Sequence, residues 1–160
     1  MAGKVEIIGI GELVKNFKML NSDIVKKTSL RMVATAGGVL RKESKRIAQE
    51  EGLKKTGALI RNIAIKKERN ADPGTTQYNL GVRHGRHLGN GKKVKKYLAI
   101  NKTGRIVNRR ENDPFYWRFL EFGTKHISAS RFLQKSLENK RQEAIKAMND
   151  RLLKEIEKYK

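Results

Sequence analysis

The chain has 160 residues, with 37 Lys and Arg against 16 Asp and Glu, for a net charge of +21, and it contains no cysteine. The missing cysteines exclude structural disulfides, thiolate zinc sites and a cysteine nucleophile. The charge attracts polyanions and acidic surfaces without specifying a fold. The length suits a single domain over residues 1–160 with a core that needs no covalent staple. No stretch approaches the roughly 18 apolar residues of a membrane span. The opening MAGKVEIIGI has a short apolar run and no cleavage-site pattern, so no secretory signal is expected.

Lys4 to Ile10 alternates as a short strand, and Glu12 to Leu20 places Leu13, Val14, Phe17 and Leu20 at helical spacing. Asn21-Ser22-Asp23 is a cap cluster opening a long amphipathic helix over 22–49, whose face holds Leu30, Val33, Gly37, Leu40 and Ile47, with Ser44 between. Gly37-Gly38 in its middle weakens a helix by roughly 1 kcal/mol per residue against Ala. Two readings stay open there, a close backbone approach and simple tolerance. After Glu50-Glu51-Gly52, Thr56 to Glu68 reads as a strand, with Leu59, Arg61, Ile63 and Ile65 on one face. The turn Asn70 to Gly74 leads to a partner strand over Thr76 to Val82, completing an antiparallel hairpin. Tyr97 to Ile100 and Arg105 to Val107, joined by Asn101-Lys102-Thr103-Gly104, predict a second hairpin.

The segment Arg83 to Arg110 holds ten cationic side chains and no acidic one: Arg83, Arg86, Lys92, Lys93, Lys95, Lys96, Lys102, Arg105, Arg109 and Arg110. Glycines 85, 89 and 91 predict a flexible first half. Such an arm suits phosphate contacts, since Lys and Arg release counterions without reading sequence. Tyr97 is its only aromatic, so single-strand recognition by stacking is disfavoured. Its target, DNA in a channel or an acidic protein neighbour, stays open.

Asp113-Pro114 reads as a helix start and Gly123 as the left-handed residue ending that helix. Between them Tyr116, Trp117, Phe119, Leu120 and Phe122 form the densest apolar cluster of the chain and are expected to fill the corner between sheet and last helix. That last helix runs from about Ser130 to Lys158, with Leu133, Leu137, Ile145, Met148, Leu152 and Ile156 on its face.

Catalytic chemistry finds no footing. His84, His87 and His126 lack further ligands nearby in sequence, and Gly81 to Gly91 lacks the Gly-Lys-Ser/Thr of a phosphate-cradling loop. Glu121 is the one carboxylate within an apolar run. A general acid, an ion pair and a hydrogen bond to backbone amides of the following turn are its three readings. No nucleophile, base and orienter assemble, so a non-enzyme is expected, with no cofactor and no metal.

The wording of three segments carries more than their physics. Phe119-Leu120-Glu121-Phe122-Gly123-Thr124 after Tyr116, then Phe132-Leu133 opening a helix, resembles the C-terminal signature of a family of tailed-phage minor structural proteins at the head–tail junction. These are called neck, connector or tail-completion proteins. Thr56-Gly57-Ala58-Leu59 resembles the family's lead into its sheet, and Val5-Glu6-Ile7 with Gly11-Glu12-Leu13 its opening. Residues 83–112 are the least family-like. The chain departs where Arg131 replaces the usual Pro before Phe132-Leu133, and where no Pro precedes Thr56.

The resemblance implies a virion protein that joins head to tail or completes the tail end. It would be a homo-oligomeric ring subunit around the DNA path, with other phage connector or tail proteins as partners. It implies the virion as location, the host cytoplasm during assembly, and neither membrane nor small-molecule substrate. The expected fold is α+β, a small mainly antiparallel sheet packed by one long central helix and a long C-terminal helix. A free-standing nonspecific nucleic-acid-binding protein is the alternative, although no helix-turn-helix, zinc-finger or RNA-binding signature supports it. A small hydrolase or toxin built on Glu121 is a third, weaker reading.

Overall fold

The computed structural model describes Gly11 and residues 22–53, 56–91 and 93–159. The strand expected at Lys4 to Ile10 and the helix at Glu12 to Leu20 lie outside the described residues. Two long helices dominate, α1 (Ser22–Glu50) and α4 (Phe132–Ile156). Between them in sequence come α2 (Ala58–Asn62), β1 (Ile63–Lys67), β2 (Tyr78–Val82), β3 (Lys96–Ile100), β4 (Ile106–Arg110) and α3 (Trp117–Phe122). The fold is α+β, with two small antiparallel two-stranded sheets, β1–β2 and β3–β4, alongside the long helices.

Helices α1 and α4 lie antiparallel, because Arg31 early in α1 pairs with Glu155 late in α4, while Glu51 just past α1 pairs with Lys135 early in α4. Small side chains let them approach. Ser44 Oγ donates to Ser136 Oγ at 2.8 Å, Ser136 Oγ donates to the Leu133 carbonyl at 2.6 Å, and both serines are fully buried. Satisfied hydroxyls of this kind carry no unpaired-polar penalty. Below them lies the core of Ile47, Ala48, Leu59, Ile63, Val82 and Phe132, with Trp117, Leu120 and Leu133 packed against it.

The two glycines of α1 have different roles. A Cβ on Gly37 would stand 3.0 Å from Ile65 Cγ2, so β1 crosses α1 at that point. Gly38 faces open space. Both readings of the pair hold, one at each residue.

Four expectations need correction. The strand over Thr56 to Glu68 begins only at Ile63, and Ala58–Asn62 is helical. Leu59 and Ile63 are buried four residues apart while Arg61 is exposed, which is helical spacing rather than alternation, and Asn62 Nδ2 bonds the Ala58 carbonyl at 2.9 Å. Asp113 does not cap α3, which starts at Trp117. Its carboxylate accepts from the Gly85 amide at 3.0 and 3.1 Å instead. The first half of the basic segment is a 3₁₀ turn, Gly85–Gly91, held by that bond and by buried Leu88. Leu137 lies exposed, while Ser136, Ala144 and Glu155 take buried places on α4. The helix departs from regular geometry at Lys140 (φ −117°, ψ 15°).

Candidate functional site

The segment Phe119 to Thr124 is a clasp. Helix α4 has no side-chain cap of its own, and Glu121 supplies one from α3. Glu121 Oε2 accepts from the Leu133 amide at 3.0 Å and Oε1 from the Gln134 amide at 3.2 Å. A carboxylate there satisfies free first-turn amides and opposes the positive end of the helix dipole. Gly123 leaves α3 with φ 77° and ψ 177°, and a Cβ on it would stand 3.0 Å from both Ala129 N and Ile127 O. Only glycine fits both the angles and the space. Thr124 closes the loop, its amide donating to Ile127 O at 2.8 Å and its hydroxyl accepting from the His126 and Ile127 amides. The Ser130 amide then bonds the Leu120 carbonyl at 2.8 Å, and buried Phe132 starts α4.

This geometry decides among the readings of Glu121. Both carboxylate oxygens are bonded to main-chain amides, and the side chain is buried. It acts as a helix cap. Thr56 and Gly57 have a comparable local task, since Thr56 Oγ1 accepts from the Ala58 amide at 3.3 Å and Gly57 turns the chain into α2, burying Leu59.

The aromatic cluster does not all fill the corner, which corrects the expectation for Tyr116 to Phe122. Trp117 and Leu120 pack on the core and Tyr116 is half-buried, but Phe119 is 50% exposed and Phe122 74%. Phe115 joins them at 58%. A helix of six residues has only one face toward the core, so a run with apolar side chains all round must leave some outside.

A second exposed apolar group sits on the β3–β4 hairpin. Ile100 and Ile106 are direct cross-strand partners, Leu98 lies two positions along the same face, and all three are solvated. The sequence reading missed this surface. The available signal was apolar residues on both faces of a two-stranded hairpin, which has no second layer to cover both. The turn is set by Asn101 Oδ1, which accepts from the Thr103 and Arg105 amides at 3.0 and 2.9 Å.

The basic segment surrounds that hairpin. Arg86, Lys93, Lys95, Lys96, Lys102, Arg105 and Arg109 are exposed, Arg83 and Arg110 are half-buried, and Lys92 lies outside the described residues. Among the described residues none of these cations pairs with a carboxylate. Arg83 also lies near Lys45, whose ammonium is held below its usual range by burial and then by Arg41 and Arg83. Positive charge thus continues from the end of β2 onto α1.

A groove of about 510 Å³ opens where the hairpin meets the turn before α3, lined by Tyr97, Val107, Arg109, Asp113, Phe115 and Tyr116. Its one carboxylate, Asp113, is engaged by Gly85. Among the described residues no group of three His, Asp or Glu could hold a metal, and no helix is long and apolar enough to cross a membrane.

Comparison with curated proteins and with solved structures gives no match. Residues 11–123 match the family model described as "Bacteriophage HK97-gp10, putative tail-component". The match ends at Gly123, so it covers the clasp up to that glycine and the whole basic hairpin, while α4 lies beyond it. Because it takes in more than two thirds of the sequence, the chain belongs to the HK97-gp10-like family of phage tail components.

Proposed function

We propose that this chain is a structural virion protein of a tailed phage or prophage that joins the head to the tail or completes the tail's upper end, as one subunit of a closed ring around the DNA path. Its family supports the tail location. The observation that carries the assembly role is the fate of Phe119 to Thr124. Leu120, Glu121, Gly123 and Thr124 are bound inside the subunit, whereas Phe119 and Phe122 face water. Exposed aromatics on a rigid, internally bonded support are a mark of protein interfaces. A ring of identical subunits needs two different, complementary patches on each, and Phe119 with Phe122 would supply one of them.

Its partners are further copies of itself and neighbouring connector or tail proteins, met in the host cytoplasm during assembly and kept in the virion. The role needs no catalysis, and the two carboxylates of the clasp and the groove, Glu121 and Asp113, are each engaged by main-chain amides. The unpaired cations of the basic segment favour a second reading, a free-standing nucleic-acid binder.

Electron microscopy of lysates from the source phage lacking this gene tests the proposal. Full heads and finished tails lying unjoined are the expected result. Normally joined particles would overturn it, and tight duplex binding with a steep salt slope would then support the second reading.

A further inference from the structure

The basic segment left two targets open, DNA and protein, and the exposed apolar face of the hairpin favours protein. Leu98, Ile100 and Ile106 are 69%, 73% and 71% exposed and adjacent on one face of β3–β4. Neither long helix packs extensively on this hairpin, and a two-stranded sheet without a covering layer is marginal by itself. Cations border the apolar face, with Lys96 and Arg110 paired across its base and Lys102 and Arg105 in and beside its turn. Phosphate contacts alone leave three solvated aliphatic side chains without a partner. An apolar centre inside a charged rim is instead the anatomy of a protein interface.

Charge identifies the occupant. The rim cations Lys96, Lys102, Arg105 and Arg110 pair with no carboxylate among the described residues, so they call for acidic groups opposite. The exposed aromatics near α3, the obvious apolar counterpart, are flanked by Arg118, Lys125 and Arg131. Like charges facing each other oppose that contact. We infer that the β3–β4 hairpin docks its Leu98–Ile100–Ile106 face into an apolar depression bordered by carboxylates on a different virion protein. The inference rests on the junction reading and names the partner chemistry of one of its surfaces. One hairpin is smaller than a standard interface of roughly 800 Å² per partner, so several hairpins on one ring would hold by avidity.

The test uses the purified full chain with three readouts. These are cosedimentation with unjoined heads and, separately, with tails from the gene-deleted phage, binding to a short duplex DNA, and sedimentation velocity of the chain alone. The double variant Leu98→Ser/Ile106→Ser removes the apolar face, and Lys102→Glu/Arg105→Glu reverses the rim. Both change exposed side chains, and an unchanged thermal midpoint checks that they fold.

The expected result is that wild type sediments with one particle type, less so as salt rises. Each variant then loses at least about tenfold in that binding. The serine variant keeps its duplex affinity and its own sedimentation coefficient. Particle binding equal to wild type in the serine variant overturns the inference. So does a loss confined to duplex binding, which would make the hairpin a nucleic-acid element, or a loss confined to self-association, which would make it a copy-to-copy contact. Failure of wild type to bind either particle is a different outcome, because it overturns the junction reading itself.

Discussion

Glu121 and Leu133 are joined by a single hydrogen bond of 3.0 Å that ties the last helix to the short aromatic helix before it. With the second bond to Gln134 it makes the carboxylate the cap of α4. Glu121→Ala is therefore expected to cost about 1–2 kcal/mol, the usual worth of a cap. Glu121→Gln, which keeps an acceptor and loses the charge, should cost less. Urea denaturation of the two variants checks this. Equal stability of all three proteins would remove the cap from the account.

Arg131 precedes α4 with φ 56° and ψ 35°, a left-handed conformation that a side chain makes unfavourable. Arg131→Gly should relieve it and raise stability by about 0.5–1 kcal/mol. Arg131→Pro should do the opposite, by about 3 kcal/mol or more, because proline holds φ near −65°. This chain departs from the related Pro-Phe-Leu wording at a position where proline no longer fits. Thermal melts of the two variants moving in the same direction would contradict it.

Gly37 and Gly38 should respond oppositely to alanine. Gly38→Ala meets nothing within 4 Å and should gain about 0.5–1 kcal/mol of helix stability. Gly37→Ala puts a methyl 3.0 Å from Ile65 Cγ2, and a β-branched side chain held at χ1 has little room to move. It should lose about 1 kcal/mol or more. Part of the loss should return when Ile65→Ala is added, which a double-mutant cycle measures directly.

Glu155 is 1% exposed and meets Arg31, Arg151 (2.7 Å) and Lys158 (3.1 Å). Burial works against its charge, but hydrogen bonds from Lys158 and Arg31 overcome it and hold the carboxyl below its ordinary 4.5. Glu43, through its hydrogen bonds with Arg46, is shifted the same way. A carboxylate whose folded pKa is depressed stabilises fully above the unfolded value. The contribution is lost as pH falls through the folded one. Unfolding midpoints should thus be flat near neutrality and fall below the ordinary carboxyl value of 4.5. Glu155→Gln should lose about 2 kcal/mol or more at neutral pH and show a shallower acid slope. A variant with the wild-type acid profile would show that Glu155 does not contribute.

What could be read from the sequence was what neighbours in sequence decide. The span of α1, the Asn101 to Gly104 turn and the end of α3 at Gly123 are local, and the structure has each where the pattern put it. Helix α1 nonetheless buries Met32, Ala36 and Ala48 beside Ser44 and Ile47 and leaves the expected Leu30, Val33 and Leu40 half-buried. The first part of the Thr56 to Glu68 run misled because Leu59 and Ile63 fit a two-residue and a four-residue spacing equally well. The remaining differences depend on contacts between distant parts of the chain. Asp113 would cap a helix if left alone, but the Gly85 amide reaches it from the 3₁₀ turn. An apolar pattern says that Leu98, Ile100 and Ile106 are hydrophobic, and not whether anything in the same chain covers them.

Phe119 and Phe122, exposed beside the packed Leu120 and Glu121, allow folding and assembly to be tested separately. Their neighbours Leu120 and Glu121 hold the subunit together, so Leu120→Ala should cost about 2–4 kcal/mol through core packing. Phe119→Ser/Phe122→Ser changes mostly solvated rings and should leave the stability within about 0.5 kcal/mol of wild type. If these rings form a subunit contact, the same double variant should fail to restore joined particles when supplied to the gene-deleted phage, although it is folded and abundant. Complementation scored by electron microscopy, with the melt as control, distinguishes the cases. A folded double variant that restores joining would show that the exposed aromatics are not the contact. A variant that unfolds would mean that the rings belong to the core after all, and the assembly role would pass to the β3–β4 hairpin alone.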